Sequence, residues 1–288
     1  MHVRPASHSL ILSFGEALFD CFEDRRCLGG APLNFAWNLR QFGFPVAVVS
    51  AVGPDRLGVE ILQFLDRAGL DRTWITCRPE PTGTVDVRLV DGEPDFTINE
   101  HVAWDRIEVS VPLSLRPSLL YFGTVAQRTA HNQTALSRLL DLNPPHRLFD
   151  INLRQHYYSA AIVLDGLRHA TILKLNQSEW DTIRQITAHD TPAEALERFH
   201  LDMIALTRGA EGAELYVPDG VFKAHPPPVT VVDTVGAGDA FSAALAAGVL
   251  SRADPATILD VACAAGAAVV RQPGAHVTLP DEVVTAFG

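Results

Sequence analysis

Apolar and polar positions along this chain follow a repeating rhythm. Leu10-Ile11-Leu12-Ser13-Phe14 is a short apolar run ended by Gly15, and reads as a buried strand. Runs at 46–52, 119–123, 148–152, 172–176 and 203–207 read the same way. Between them the apolar spacing is helical. Leu33, Ala36, Leu39 and Phe42 share one helical face, with Pro32 suited to the first turn and Gly43 to the C-terminal cap. Asp55 can cap a helix over 56–68 that stops at Gly69. Residues 212–217 and 220–224 read as a hairpin, and helices after Asp239 and over 256–271 close the chain. This alternation predicts one α/β domain over 1–288, a three-layer fold with a mostly parallel sheet and helices on both faces.

One stretch breaks the rhythm. Thr84-Val85-Asp86-Val87-Arg88-Leu89-Val90 alternates polar and apolar for most of its length, turns at Asp91-Gly92, and resumes at Phe96-Thr97-Ile98-Asn99. That pattern predicts a half-exposed antiparallel hairpin, a small lid formed by about 16–28 and 82–104. Thr84, Asp86 and Arg88 point one way and are expected to face a ligand. Val85, Val87 and Leu89 point the other way and are expected to stand uncovered, which predicts a homodimer through the lid.

Composition narrows the function classes. Hydrophobic residues are 47% of the 288, which argues against disorder. A net charge of −11 without a Lys/Arg run argues against nucleic acid and anionic membrane as partners. No apolar run has transmembrane length. Cys21, Cys27, Cys77 and Cys263 form no CxxC pair or zinc spacing and fit reduced thiols, which predicts a cytoplasmic protein.

The candidate chemistry begins at Asp233-Thr234-Val235-Gly236-Ala237-Gly238-Asp239, which runs into an Ala/Leu-rich helix former. A helix start carries unpaired N–H groups and partial positive charge, and small residues let an anion approach them. Asp239 is then a carboxylate beside an anion site. A site that holds a phosphoryl group and steers a hydroxyl toward it needs such a base. Taken alone, the stretch reads equally well as a glycine-rich turn with an early helical Asp. The helix dipole predicts an ionised Asp239 at neutral pH. Other polar residues collect just past the apolar runs: Glu16, Asp20, Glu23 and Asp24; Asp150, Asn152 and Arg154; Asn176 and Glu179; Thr207 and Arg208. The strand ends of an open α/β sheet are where ligands bind. Asn176 and Glu179 can orient Mg²⁺-bound water, or can simply start a helix. GxxxxGK[ST] and GxGxxG are both absent.

As a set, these stretches resemble the ribokinase/PfkB family of sugar kinases over nearly the full length. Gly29-Gly30-Ala31-Pro32-Leu33-Asn34 is similar to its N-terminal signature, residues 233–239 to its C-terminal signature, and Asn176-Gln177-Ser178-Glu179 to its NxxE motif. The resemblance implies ATP as phosphate donor, Asp239 as base, and an anion hole from Gly236, Ala237 and Gly238. It implies sugar binding by Asp20, Gly29, Gly30, Asn34, Arg88, Phe96, Asp150, Asn152 and Arg154. Lys174, Asn176, Thr207, Arg208, Gly209, Gly212 and Cys263 would lie beside the nucleotide. Asn176 and Glu179 would act on Mg²⁺ through water, and Asp233, Val235 and Gly274 stand where several members hold K⁺. Gly-Gly-Ala-Pro and residues 150–154 look most like fructokinases, and 2-keto-3-deoxygluconate kinases share part of the pattern. Cys263 stands where many members carry Asn. Gln155-His156 follows Arg154 where fructokinases often have Leu-Trp. A sugar- or nucleotide-sensing protein on this fold is the non-enzymatic alternative.

Overall fold

The computed structural model describes residues 10–90, 93–112 and 114–288, with side chains outside 88–95. Its strands are β1 (Ile11–Phe14), β2 (Leu18–Cys21), β3 (Arg26–Gly29), β4 (Val46–Val52), β5 (Ile75–Cys77), β6 (Gly83–Val90), β7 (Glu93–Ile98), β8 (Leu119–Phe122), β9 (His146–Asp150), β10 (Ile172–Asn176), β11 (Met203–Thr207), β12 (Ala213–Val217) and β13 (Gly220–Ala224). Nine of them make one sheet, ordered β13-β12-β11-β10-β9-β8-β1-β4-β5. The strands from β11 through β5 pair in parallel, while β12 and β13 extend the edge antiparallel.

The helices are α1 (Ala31–Gln41), α2 (Arg56–Ala68), α3 (Ala130–Leu140), α4 (Ala160–His169), α5 (Gln177–Thr187), α6 (Pro192–Arg198), α7 (Ala237–Leu250), α8 (Pro255–Val269) and α9 (Asp281–Val284). Strand alternation sorts them into two layers. Ile11, Val46, Val48, Leu119 and Tyr121 pack with α1, α2, α7 and α8. Their neighbours Leu12, Phe14, Ala47, Val49, Leu120 and Phe122 pack with α3 to α6. The expected three-layer sheet is therefore present. Local signals set many boundaries as expected: Asp55 Oδ1 accepts from Gly58 N at 2.8 Å, and Gly69 closes α2 at φ 64°. Among the described residues, no helix is long and apolar enough to cross a membrane.

Strands β2 and β3 fall in the 16–28 segment expected in the lid, though not read there as separate strands, and β5 lay outside the sequence expectations. The short, mixed β2, β3 and β5 carry too little periodicity to be read. The strand expected over 148–152 ends at Asp150, because Asn152 turns left-handed at φ 47°. The helix expected over 256–271 runs Pro255–Val269.

The lid is a second sheet, ordered β3-β2-β6-β7. Its register corrects the expected orientation. Asp20 pairs with Val85 and Cys21 with Asp86, so Asp20 shares a face with Val85, not with Asp86. Val85, Val87 and Ile98 are buried in the core cluster that also holds Phe14, Leu18 and Trp104. Thr84 and Asp86 form the outer, half-buried face. At Val85 and Val87 the apolar face is thus covered by the chain itself and not uncovered as the lid-dimer expectation required, while the side chain of Leu89 lies outside the described residues. Arg88 pairs with Asp95 in the backbone register, and its side chain lies outside the described residues.

Candidate active site

The site forms where the carboxyl ends of β1, β9, β10 and β11 meet the first turns of α1, α5 and α7. Gly236 caps α7 in the left-handed region at φ 81°, and a Cβ there would meet Ala275 Cα at 2.7 Å, so the turn requires glycine. Behind it the first-turn N–H groups have no intrahelical acceptor. The Ala237 N–H bends back to the Thr234 carbonyl at 3.3 Å, which leaves Gly238 and Asp239 as the open donors of the expected anion hole.

Lys174 stands beside these donors. It is buried, and its Nζ would lie 2.9 Å from a Cβ placed on Gly238. Its Nζ donates to Asp150 Oδ1 at 3.1 Å. Asp150 Oδ2 accepts from Ser242 Oγ at 2.8 Å and Tyr121 OH at 3.2 Å. Burial works against the ammonium charge, but Asp150, Glu179 and Asp239 outweigh it and hold Lys174 above the usual lysine range. Asp150 was expected to bind sugar. It is 1% exposed with both oxygens engaged, so it aims Lys174 and has no free edge for a ligand.

Asp239 sits in the first turn of α7, where Asn34 Nδ2 of α1 donates to its Oδ2 at 2.8 Å. The helix start was expected to keep it ionised at neutral pH. Burial and the nearby Asp150 charge instead raise it to about 6, against the lowering pull of Asn34, Lys174 and Arg154. A carboxyl titrating there is still mostly ionised at pH 7, and is a better proton acceptor than a free Asp.

The chamber on the lid side of Asp239 is acidic. Glu16, just past β1, is buried and raised to about 7, chiefly by burial, with the Asp239 charge adding. Its Oε1 accepts from Ala31 N at 3.3 Å and so holds the start of α1. Gly30, at φ 106°, leaves room for the Glu16 carbonyl, 2.4 Å from where a Cβ would stand. Asp20, on β2, is raised to about 6 by burial and Asp233 against the pull of Arg154, and lies 2.9 Å from a Cβ placed on Gly29. Asn34 Oδ1 is buried without a partner, an acceptor open to a ligand hydroxyl. Arg154 lowers the carboxyls of Glu16, Asp20 and Asp239 and is the cation of this chamber. Phe96 is exposed on the lid strand, where Gln155 Nε2 donates to its carbonyl. Half-buried Asn152 follows β9. Sequence reasoning noticed Glu16 but gave it no role; its position directly after a buried strand was the available signal.

On the other side of α7's start lie two cavities. One, of about 570 Å³, is polar and lined by Asn176, Ser178, Thr207, Arg208 and Gly209 among others. Arg208 is pinned there by Glu214 at 3.0 Å and Gln177 at 3.0 Å. The other, of about 550 Å³, is an apolar groove running from Thr207 and Gly212 past Pro226 to Ala237 and Cys263. Sequence reasoning missed the Pro226-Pro227-Pro228 wall of this groove, although a proline run is legible. Asn176 and Glu179 form a capping box: Glu179 Oε2 accepts from Asn176 N at 2.8 Å, and Asn176 Oδ1 from Glu179 N at 2.9 Å. Glu179 Oε1 also accepts from Leu153 N at 3.0 Å. The observed work of this pair is therefore structural. Asp233 brings its expected companions together, accepting from Val235 N at 3.0 Å and Gly274 N at 2.9 Å. Among the described residues no cluster of three or more His, Cys, Asp or Glu could hold a metal.

The family model described as pfkB family carbohydrate kinase matches residues 1–282. The chain belongs to that family. It is a sugar kinase by that membership. Fructokinase of Escherichia coli is 29% identical over 285 residues, covering 88% of this chain and 89% of that one. The structure of Xylella fastidiosa fructokinase with bound ATP superposes at a TM-score of 0.85, with 23% identity, covering 96% and 97% of the two chains. That of Vibrio cholerae fructokinase with fructose, ADP and calcium ion does so at 0.81, with 25% identity and 98% and 99% coverage. In this kinase Ala237 and Gly238, at the start of the helix that carries Asp239, line the apolar groove.

Proposed function

We propose that this kinase transfers the γ-phosphoryl of ATP to a hydroxyl of fructose. The observation that carries the reading is the Asp239 carboxylate, oriented by Asn34 at 2.8 Å between an acidic chamber and the Lys174-lined start of α7. A sugar hydroxyl in the chamber gives its proton to Asp239 as its oxygen attacks the phosphoryl in line. The N–H groups of Gly238 and Asp239, with Lys174, face the charge that spreads over the phosphoryl oxygens. Asp20 and Asn34 Oδ1 suit sugar hydroxyls, which need partners but no counter-charge. The apolar groove suits a base, and the polar cavity by Arg208 suits phosphates.

Mg²⁺, when bound with the nucleotide, neutralises phosphate charge. Asn176 and Glu179 would hold its waters, and the residues present allow that only indirectly. The loop of Asp233, Val235 and Gly274 suits K⁺, with one carboxylate and nearby backbone carbonyls.

A panel of sugars with Mg·ATP, read by ADP release, tests the reading. Fructose is expected to give the highest kcat/KM. A second acceptor class is favoured by Arg154, whose charge over the chamber suits a sugar acid. A kcat/KM for 2-keto-3-deoxygluconate well above that for fructose would reverse the choice. Sugar binding by calorimetry with no ADP release from any sugar would point to the sensing alternative.

A further inference from the structure

We propose that the phosphate-donor groove discriminates only weakly between purine bases, so that GTP and ITP serve as donors alongside ATP. The inference rests on the reading above, in which the groove beside α7 holds the donor nucleotide. With the phosphates at Gly238 and Lys174, the base takes the far end of the groove, against Pro226 to Pro228, Cys263 and Val270. Adenine and guanine differ there in what they ask for. Adenine offers an amino group and needs a donor for N1, whereas guanine needs a donor at O6 and offers N–H at N1 and N2.

A site tells them apart by fixed, buried donors and acceptors that one base leaves unpaired. Such a site rejects the wrong partner by about 10⁴-fold or more, whereas an apolar wall reaches only about 10–200-fold. Among the described residues that line this groove, none carries a carboxamide, carboxylate, guanidinium, ammonium or imidazole group. Pro226, Pro227 and Pro228 remove the backbone donors along one wall. Cys263 contributes a thiol, which burial pushes up to about 11 and so keeps neutral, a weak donor at best. Thr207 Oγ1 faces the Leu175 carbonyl at 3.4 Å, near the phosphate end. His225 lies against Gly212 but is exposed and stands outside the lining. Thr234 adds a hydroxyl from the exposed loop before α7, and the backbone adds its own groups, the proline carbonyls among them; the other side chains offer shape and apolar contact, which purines share.

The test measures sugar phosphate formation directly by mass spectrometry, with ATP, GTP and ITP as donors at saturating sugar and Mg²⁺. The expected result is kcat/KM values for GTP and ITP within about 100-fold of that for ATP, as an apolar wall allows. Larger ratios, with ATP turned over, overturn the inference and leave the kinase reading standing. No sugar phosphate with any donor overturns both. A second readout is thermal protection by ADP and GDP at equal concentration. Similar shifts support the inference, and a shift with ADP alone overturns it.

Discussion

Asp239 and Asn34 carry the most chemistry per atom. Asp239→Asn removes only the proton acceptor, so kcat is expected to fall by roughly 10²–10⁴-fold while sugar KM changes little. Steady-state kinetics check this, and a variant that keeps most of its activity would remove Asp239 from the mechanism. Asn34 acts on the same group. Its amide lowers a carboxyl that burial has raised to about 6. A base works when deprotonated, so kcat/KM is expected to rise with pH through about 6 and level off above. In Asn34→Ala the carboxylate loses its donor, and the acid limb should move to higher pH as sugar KM rises. A limb that stays in place would show that Asn34 only packs.

At the scale of elements, the lid and the start of α5 decide what a substitution reports. Val87 is 5% exposed, so Val87→Glu forces a charge into the cluster beneath the lid. The expected result is a loss of stability of about 3 kcal/mol or more, read by denaturant unfolding, with no change of mass by light scattering. A variant as stable as the parent would mean that the lid face is not packed. Glu179 binds two backbone N–H groups with two oxygens. Glu179→Gln turns one acceptor into a donor facing a donor, costing about 1–3 kcal/mol. If the pair also orders Mg²⁺ waters, the Mg²⁺ concentration for half-maximal rate should rise more than sugar KM does. An unchanged Mg²⁺ requirement in the destabilised variant would limit Glu179 to its capping role.

For the whole molecule, the active cleft weakens the fold at neutral pH. Glu16, Asp20 and Asp239 are all raised above their ordinary values, so the folded protein holds these protons more tightly than the unfolded chain. Their contribution to stability is therefore full at acid pH and declines as pH rises from about 4 to about 7. His276, lowered to about 4 by burial, acts with the opposite sign over much of that range. The site term is isolated by difference. The Tm of Asp239→Asn is expected to match wild type near pH 4 and to exceed it by a few degrees at pH 8. A gap that stays constant with pH would show that the carboxylate is not strained by its site.

The sequence by itself determined the parallel sheet, the strand ends where polar residues gather, and both family signatures, because these rest on period, caps and contiguous motifs. Arg56–Ala68 with its Asp55 cap and Gly69 stop was readable residue by residue for that reason. Tertiary structure alone decided what depends on distant partners. Asn34 meets Asp239 across 205 positions of chain. Asp150 looked like a free strand-end carboxylate until Lys174, Ser242 and Tyr121 closed around it. The alternation of 84–90 was plain, but which face turned inward was set by its register with β2, a segment too short and mixed to show its own pairing. Burial around Asp239 overruled the local helix dipole, since desolvation depends on everything packed nearby and the dipole only on one turn.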